Sequence, residues 1–291
     1  MSAIAFFGRE FKKEYNEAVQ FVVDRLEAEH YKIIVHEEFY ERIKEYVHFT
    51  DLPATFGHDD TLCSDTKCLF SFGGDGTMLD TVHIVKDSKI PVLGFNFGRL
   101  GFLSIVNISK IRDILNLFLT GKYHLEERTL LKVSCDYFDK ENYSLNEVCV
   151  TRKEPYSMLA MEVWIDGLYL NKYWGDGLII ATPTGSTAYS LSCGGPILHP
   201  ATKSFVVTPI ASHNLTVGSI VVPDNCTIDV KVVCRDPEFY VNMDSYNQKL
   251  QSGCMFTVQK NDFNFVLVIP ENENFYKTIR EKLNWGLDVR N

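Results

Sequence analysis

Cys68-Leu-Phe-Ser-Phe72 runs directly into Gly73-Gly-Asp-Gly-Thr77, and Met78, Leu79, Val82 and Val85 then recur at helical spacing. An apolar run ended by glycines and followed by a 3.6-residue period reads as strand, tight turn, helix. The same texture extends to both sides. Upstream, Ile4-Ala-Phe-Phe7 stops at Gly8, and Phe11, Tyr15, Ala18, Val19, Val22 and Leu26 follow as a helix. Ile33-Ile-Val35 forms a second strand, and Phe39, Ile43 and Val47 suggest another helix. Residues 50–66 are polar, contain Pro and Gly, and read as a loop. Downstream, Pro91-Val-Leu-Gly94 opens the next strand. Strands alternating with helices predict a parallel, doubly wound, Rossmann-like sheet.

The texture changes after about residue 125. Leu131, Val133, Cys135 and Tyr137 alternate with polar positions, as do Ile228, Val230, Val232 and Cys234. This period of two is that of strands with one buried face. Met161, Val163 and Ile165 lead into Asp166-Gly167, a strong hairpin signal. Phe275, Ile279 and Leu283 give a final helix. The expected organisation is α/β plus β: an N-terminal α/β domain over 1–105, a β-rich domain over 106–272, and a C-terminal segment, 273–291, returning to the first.

With 291 residues, the chain has room for one large or two ordinary domains. Its 29 Lys and Arg against 38 Asp and Glu give a net charge of −9, a poor match to nucleic acid or an anionic membrane. No apolar stretch approaches the roughly 18 residues of a spanning helix, and the start, MSAIAFFGREFKKEY, lacks the pattern of a secretion signal. None of the eight cysteines forms a CxxC pair and most lie in apolar runs. They read as reduced core residues of a cytoplasmic protein. The eight histidines show no ligand spacing, and His36-Glu37-Glu38 lacks the second His of a zinc protease motif.

Four segments carry chemistry. In Gly73-Gly-Asp75-Gly-Thr77 the backbone amides point past the strand end, where a phosphate can approach. It is neither a Walker A loop nor GxGxxG. Asp75 would repel phosphate unless a divalent metal or a reactive hydroxyl is its partner; otherwise the segment is a turn with an Asp helix cap. Gly94-Phe-Asn-Phe-Gly98-Arg-Leu-Gly101-Phe-Leu103 shapes a second loop at the same sheet edge, or a structural glycine turn. The apolar strand in Gly175-Asp176-Gly177-Leu-Ile-Ile-Ala181 runs into a turn dense in Gly, Ser and Thr, with Tyr189 as a stacking plane. Its hydroxyls suit ribose or phosphate, a polar surface loop being the alternative, and the lack of a GxSxG elbow argues against a serine nucleophile. Asn146-Glu147 opens an apolar strand and by itself reads as a turn.

Together these segments resemble the NAD kinase family. The resemblance rests on GGDGT at 73–77, GFNFGRLGFL at 94–103, LNE at 145–147, GDGLIIATPTGSTAYSLSCGGPIL at 175–198 and TPIASHNLTV at 208–217. It implies an N-terminal α/β domain, a C-terminal β-sandwich and a returning C-terminal segment. It also implies transfer of the ATP γ-phosphoryl group to the 2′-hydroxyl of the adenosine ribose of NAD, with Mg²⁺, in a homodimer or homotetramer. Asp75 is then the proton acceptor, with Gly74 and Gly76 beside it and Phe102 on the adenine side. Asn146 and Glu147 bind the adenosine portion, and Asp176 contacts the ligand or an oligomer neighbour. Thr187, Ala188, Tyr189, Ser190, Leu191 and Ser192 form the NAD-binding turn, with Ala211 and Tyr246 in the same pocket. No residue is assigned as a metal ligand.

Three departures from the family pattern stand out: Ser212 in place of a proline, Gly218-Ser219 where Arg-Pro is common, and Asp244-Ser245-Tyr246 where the family often has Asp-Gly-Gln/Arg. Two other readings share the GGDGT loop. One is a lipid or sugar kinase, against which the 175–198 block speaks; the other is a non-catalytic NAD(P)-binding protein, which has no need of Asp75.

Overall fold

The computed structural model describes residues 2–98, 101–138, 142–154, 157–214 and 216–286. Arg99 and Leu100 of the second glycine loop and Leu215 of the TPIASHNLTV segment lie outside them. The chain forms two compact units, one made of the residues up to 127 together with those from 265 onward, the other of 128–264.

Among the described residues the first unit carries an eight-stranded sheet. Thr66–Phe72 pairs in parallel with Ala3–Phe7 on one side and Val92–Asn96 on the other. Lys32–His36 extends it beyond Ala3–Phe7, also in parallel. All five residues of Ala3–Phe7 and of Val92–Asn96 are buried. A parallel strand covered by helices on both faces is apolar throughout rather than alternating. Phe6, Phe70, Phe72 and Phe95 fill this core, and Phe70 meets Phe118 edge-on at 5.1 Å between ring centroids.

Two features differ from the sequence reading. The polar 50–66 stretch contains a short strand, Ala54–Phe56, paired with Lys32–His36 at the sheet edge. Its first two residues are exposed, so no apolar run marks it. The first unit also extends past residue 105. Val106–Asn107 pairs in parallel with Val92–Asn96, and the helix Ile111–Leu119 buries Ile111, Ile114, Leu115 and Phe118. Those four positions have the one-sided period of an amphipathic helix, which belongs with the α/β texture. Phe265–Pro270 joins the same sheet beside Val92–Asn96 and precedes the terminal helix Phe275–Leu283.

Two six-stranded sheets make up the second unit among the described residues. Their facing strands share one hydrophobic cluster, with Val148, Val150, Leu178, Ile180, Phe239 and Val241 from one sheet and Met161, Val163, Val230, Val232, Phe256 and Val258 from the other. The unit is a β-sandwich, as expected. Its strands alternate: Glu238–Met243 buries every second residue. The Asp166-Gly167 hairpin forms as read, joining Leu159–Ile165 to Leu168–Gly175, with φ of 49° and 76° at the two turn residues. Gly177–Ala181 breaks the alternation, being buried throughout. Its second face packs Ile179 and Ala181 with Cys149, Val206 and Ile210, and Cys193 and Leu198 of the following turn close over them.

Candidate functional site

In the first unit the site grows from the end of a central strand. Thr66–Phe72 delivers Gly73 and Gly74, and Gly74 caps the helix Asp75–Val85 without a side-chain hydrogen bond. A β-carbon on Gly73, whose φ is 155°, would stand 2.3 Å from Thr77 Oγ1, so the turn needs glycine there. Asp75 is the first residue of the helix, and its carboxylate does not cap it. Oδ2 accepts the Phe102 amide at 2.8 Å, while Oδ1 accepts those of Leu103 at 3.1 Å and Ser104 at 2.9 Å. The Ser104 hydroxyl donates to the Gly73 carbonyl at 3.0 Å. The two glycine loops are thus clasped together by Asp75. A β-carbon on Gly101 would lie 1.8 Å from Asp75 Oδ1, which makes that glycine a condition of the clasp.

Gly74, Asp75, Gly76 and Phe102 therefore lie together. A cavity of about 280 Å³ opens beside them, lined by Gly73, Gly74, Gly76, Thr77, Arg9 and Lys12 among others. Helix first-turn amides have no partner within the helix and favour an anion. Arg9 is held by a bidentate ion pair to Asp80. One participant escaped the sequence reading: Lys282, on the terminal helix, places Nζ 3.5 Å from Asp75 Oδ2 and 4.9 Å from the centre of the Phe102 ring. No local signal marks it, because a lysine in the last turn of a helix is ordinary.

In the second unit another carboxylate clasps another loop. Asp244, half-buried, accepts the amides of Leu145 at 2.6 Å, Asn146 at 3.0 Å and Glu147 at 3.2 Å. Burial pushes its carboxyl up to about 6, against the pull of those three amides. Glu147 is pushed up to about 8, by burial first and by Asp244 second, and its Oε2 has no hydrogen-bond partner among the described residues. It is a neutral carboxylic acid near pH 7, able to donate as well as accept. The Asn146 carbonyl accepts the Thr182 amide at 2.9 Å, and a β-carbon on Gly185 would stand 2.0 Å from the same oxygen. That close approach seats the 182–192 turn on the Asn146 loop.

Along the turn, Tyr189 is 43% exposed, whereas Ser190 is fully buried. The Ser190 hydroxyl bonds the Thr208 hydroxyl at 3.0 Å, and its carbonyl accepts the Gly195 amide. Ser190, expected in the binding turn, is a packing group, because its side chain points at the sheet. Thr187, Ala188 and Leu191 are half-buried and Ser192 is exposed. Burial raises the Tyr189 phenol, with Cys193, Cys149 and Asp176 adding to the shift. Burial also raises the Cys193 thiol, and Glu147 adds to that. Glu147, Asp176, Tyr189 and Cys193 therefore share one neighbourhood.

Asp176 is less solitary than its flanking glycines suggest. Its carboxylate pairs with Arg152 at 2.9 Å, its carbonyl accepts the Arg152 amide, and its amide donates to Ile210. Ala211 follows at φ 45°, a conformation costly for a residue with a β-carbon and common at functional sites. Tyr246 is 55% exposed, just after Asp244 in the turn between Glu238–Met243 and Tyr246–Gln251. Among the described residues no three His, Cys, Asp or Glu side chains group as a metal site, and no helix is long and apolar enough to cross a membrane.

Comparison with known proteins adds a family to this geometry. The model of the ATP-NAD kinase N-terminal domain matches residues 4–123, and that of the ATP-NAD kinase C-terminal domain matches 145–269. An NAD kinase of Cytophaga hutchinsonii is 39% identical over 290 residues, covering 99% of both chains. One of Flavobacterium johnsoniae is 39% identical over 292 residues, again covering 99% of each. One of Porphyromonas gingivalis is 36% identical and covers both chains completely. Two solved structures share the fold. Yeast NADH kinase complexed with NADH has a TM-score of 0.86 at 23% identity, covering 100% of this chain and 89% of that one. An NAD kinase from Archaeoglobus fulgidus in complex with ATP has a TM-score of 0.70 at 22% identity, covering 97% of this chain and 99% of that one. The chain belongs to the ATP-NAD kinase family.

Proposed function

We propose that this protein is an NAD kinase, transferring the γ-phosphoryl group of ATP to the 2′-hydroxyl of the adenosine ribose of NAD to give NADP and ADP. The observation that carries the reading is the Asp75 carboxylate. It stands at the carboxyl end of a central parallel strand, beside glycine-loop amides, and is not used to cap its own helix. A 2′-hydroxyl is a poor nucleophile until a base takes its proton. As the new O–P bond forms and the β–γ bridging bond breaks, the hydroxyl proton passes to Asp75 and ADP leaves. The amides around Gly74 and Gly76 face the phosphates, and Phe102 flanks the adenine. Asn146 and Glu147 hold the adenosine portion, with the neutral Glu147 carboxyl supplying both a donor and an acceptor. Asp176, Ala211 and Tyr246 complete the NAD pocket with Thr187, Ala188, Tyr189, Leu191 and Ser192. Ser190 keeps the turn in shape.

The residues present do not fit a protein-held Mg²⁺. Among the described residues no three His, Cys, Asp or Glu side chains group as a metal site, and the nearby Asp80 is tied to Arg9. Mg²⁺ commonly keeps several waters and binds mainly through substrate phosphates, so ATP is its natural carrier here. The homo-oligomer is supported by apolar surface along Leu168–Gly175, where Leu168 is 76%, Tyr169 58% and Trp174 43% exposed. Sedimentation would show a single species of two or four chains.

The direct test is incubation with ATP, Mg²⁺ and NAD, followed by chromatography for NADP. Stoichiometric NADP and ADP are expected. Phosphorylation of a lipid or sugar with none of NAD would overturn the reading, as would tight NAD binding without turnover.

A further inference from the structure

A carboxylate at a phosphate site is an electrostatic problem that the GGDGT loop does not solve, since residues 73–77 contain no lysine or arginine. The nearby Arg9 is committed to Asp80. Lys12 lines the cavity beside the glycines, but among the described residues the ion pair to Asp75 itself comes from the terminal helix. Lys282 Nζ stands 3.5 Å from Asp75 Oδ2, the oxygen that also accepts the Phe102 amide, and 4.9 Å from the centre of the Phe102 ring. Its side chain is only 33% exposed, so the ammonium is held between carboxylate and ring.

The helix beneath it is anchored. Asn274 caps its start by accepting the Lys277 amide at 3.0 Å, and buried Glu273 pairs with Lys277 at 2.8 Å and with Lys110 at 3.9 Å. The helix thereby delivers Lys282 in its last turn. An ammonium there also suits the helix dipole, but that role asks nothing of Asp75 and predicts no coupling to it.

We propose that Lys282 is a positioning residue that neutralises Asp75, fixing its carboxylate and allowing the ATP phosphates to approach a site that would otherwise repel them. The inference rests on the kinase reading above, and its action runs through Asp75 rather than through direct contact with nucleotide. With Lys282 in place the pair carries no net charge; without it a carboxylate held only by loop amides faces the incoming triphosphate.

The test is a double-mutant cycle read by binding. Affinity for a non-hydrolysable ATP analogue is measured by calorimetry for the wild type, Lys282→Met, Asp75→Asn and the double variant. Lys282→Met is expected to weaken binding about tenfold, the scale of one nearby unscreened charge. In the Asp75→Asn background the same change should cost clearly less than in the wild type, because the part of the loss that comes from an unpaired, unfixed carboxylate is absent. Lys282→Arg should restore most of the affinity. An equal loss in both backgrounds would assign Lys282 to direct phosphate contact and overturn the proposal. Unchanged affinity in Lys282→Met, with an unchanged melting temperature, would reduce the lysine to a helix-end charge and overturn it as well. NADP formation by the wild-type protein is scored separately, so failure of the coupling leaves the kinase reading standing, and failure of the reading shows first in the wild type.

Discussion

Asp244 holds Asn146 through its backbone: the carboxylate accepts the Asn146 amide at 3.0 Å, with the amides of Leu145 and Glu147 on either side of it. Asp75 treats the amides of Phe102, Leu103 and Ser104 in the same way. Each unit uses one carboxylate to clasp three successive amides of a loop that carries proposed ligand contacts. The difference is burial. Burial is strong enough to push the Asp244 carboxyl up to about 6, while the Asp75 side chain is 31% exposed and open to chemistry. The departure from a glycine after Asp244 is tolerated because the strained residue is Asp244 itself, at φ 51°. Aspartate accepts that conformation better than most residues.

Asp244→Ala therefore should cost of order 2–3 kcal/mol of stability, since three part-buried amides lose a charged acceptor. Binding of NAD should weaken with it, because the Asn146 and Glu147 positions loosen. Urea melts and calorimetry on the variant check both. A stable variant with unchanged NAD affinity would show that Gly185 and Thr182 hold the loop unaided.

Glu147 makes stability depend on pH in a defined direction. Its folded value of about 8 lies above the ordinary 4.5, so folding favours the protonated form. That contribution is complete below the unfolded value and fades as pH rises through about 8. Glu147→Gln keeps the neutral shape at every pH. The wild type should thus lose of order 2 kcal/mol relative to Glu147→Gln between pH 6 and pH 9. Urea melts of the two proteins at both pH values measure this, and a pH-independent gap would contradict it.

The legibility of this chain follows the range of its interactions. Asp166-Gly167 could be read because both turn residues need a positive φ, and Asp-Gly supplies it at adjacent positions. GGDGT could be read because strand, turn and helix are contiguous. Ile111, Ile114, Leu115 and Phe118 carried a helical period, yet the boundary expected at 105 cut them from the α/β unit, which runs to 127, close to the change of texture near residue 125. Ala54–Phe56 left no trace, since a three-residue edge strand exposes two of its side chains. Ser190 shows the opposite limit. Its residue type suggested a ligand contact, while its orientation, set by Thr208 beneath it, made it structural. Lys282 was invisible for a third reason: its meaning lies in a partner at the other end of the sequence.

Asp176 separates structure from binding. Its ion pair with Arg152 is about one-third exposed on each side, so its loss should cost less than about 1 kcal/mol. Asp176→Ala should keep its fold and melt within a few degrees of the wild type, while NAD affinity falls. Calorimetry decides: unchanged affinity with unchanged turnover would make Asp176 only the partner of Arg152.

Asp75→Asn isolates the proposed proton acceptor. The asparagine oxygen can still receive Leu103 and Ser104, but its NH₂ would face the Phe102 N–H and Lys282, donor against donor. One hydrogen bond is lost, so a stability loss of about 1–2 kcal/mol is expected. NAD affinity should stay within a few-fold, because Asn146, Glu147 and the 187–192 turn are untouched and only Phe102 is disturbed. Turnover should fall by about 10²–10⁴, the usual contribution of a positioned acid–base group. If the carboxylate served only to clasp the 101–104 loop, NAD affinity and turnover would decline together, in proportion to the disturbance of Phe102. If it served only to organise a divalent ion on the nucleotide, high Mg²⁺ would recover part of the rate. Measuring NAD affinity, kcat across a Mg²⁺ series and melting temperature on this variant therefore separates the three roles. Near-normal turnover at any Mg²⁺ concentration would remove Asp75 from the chemistry.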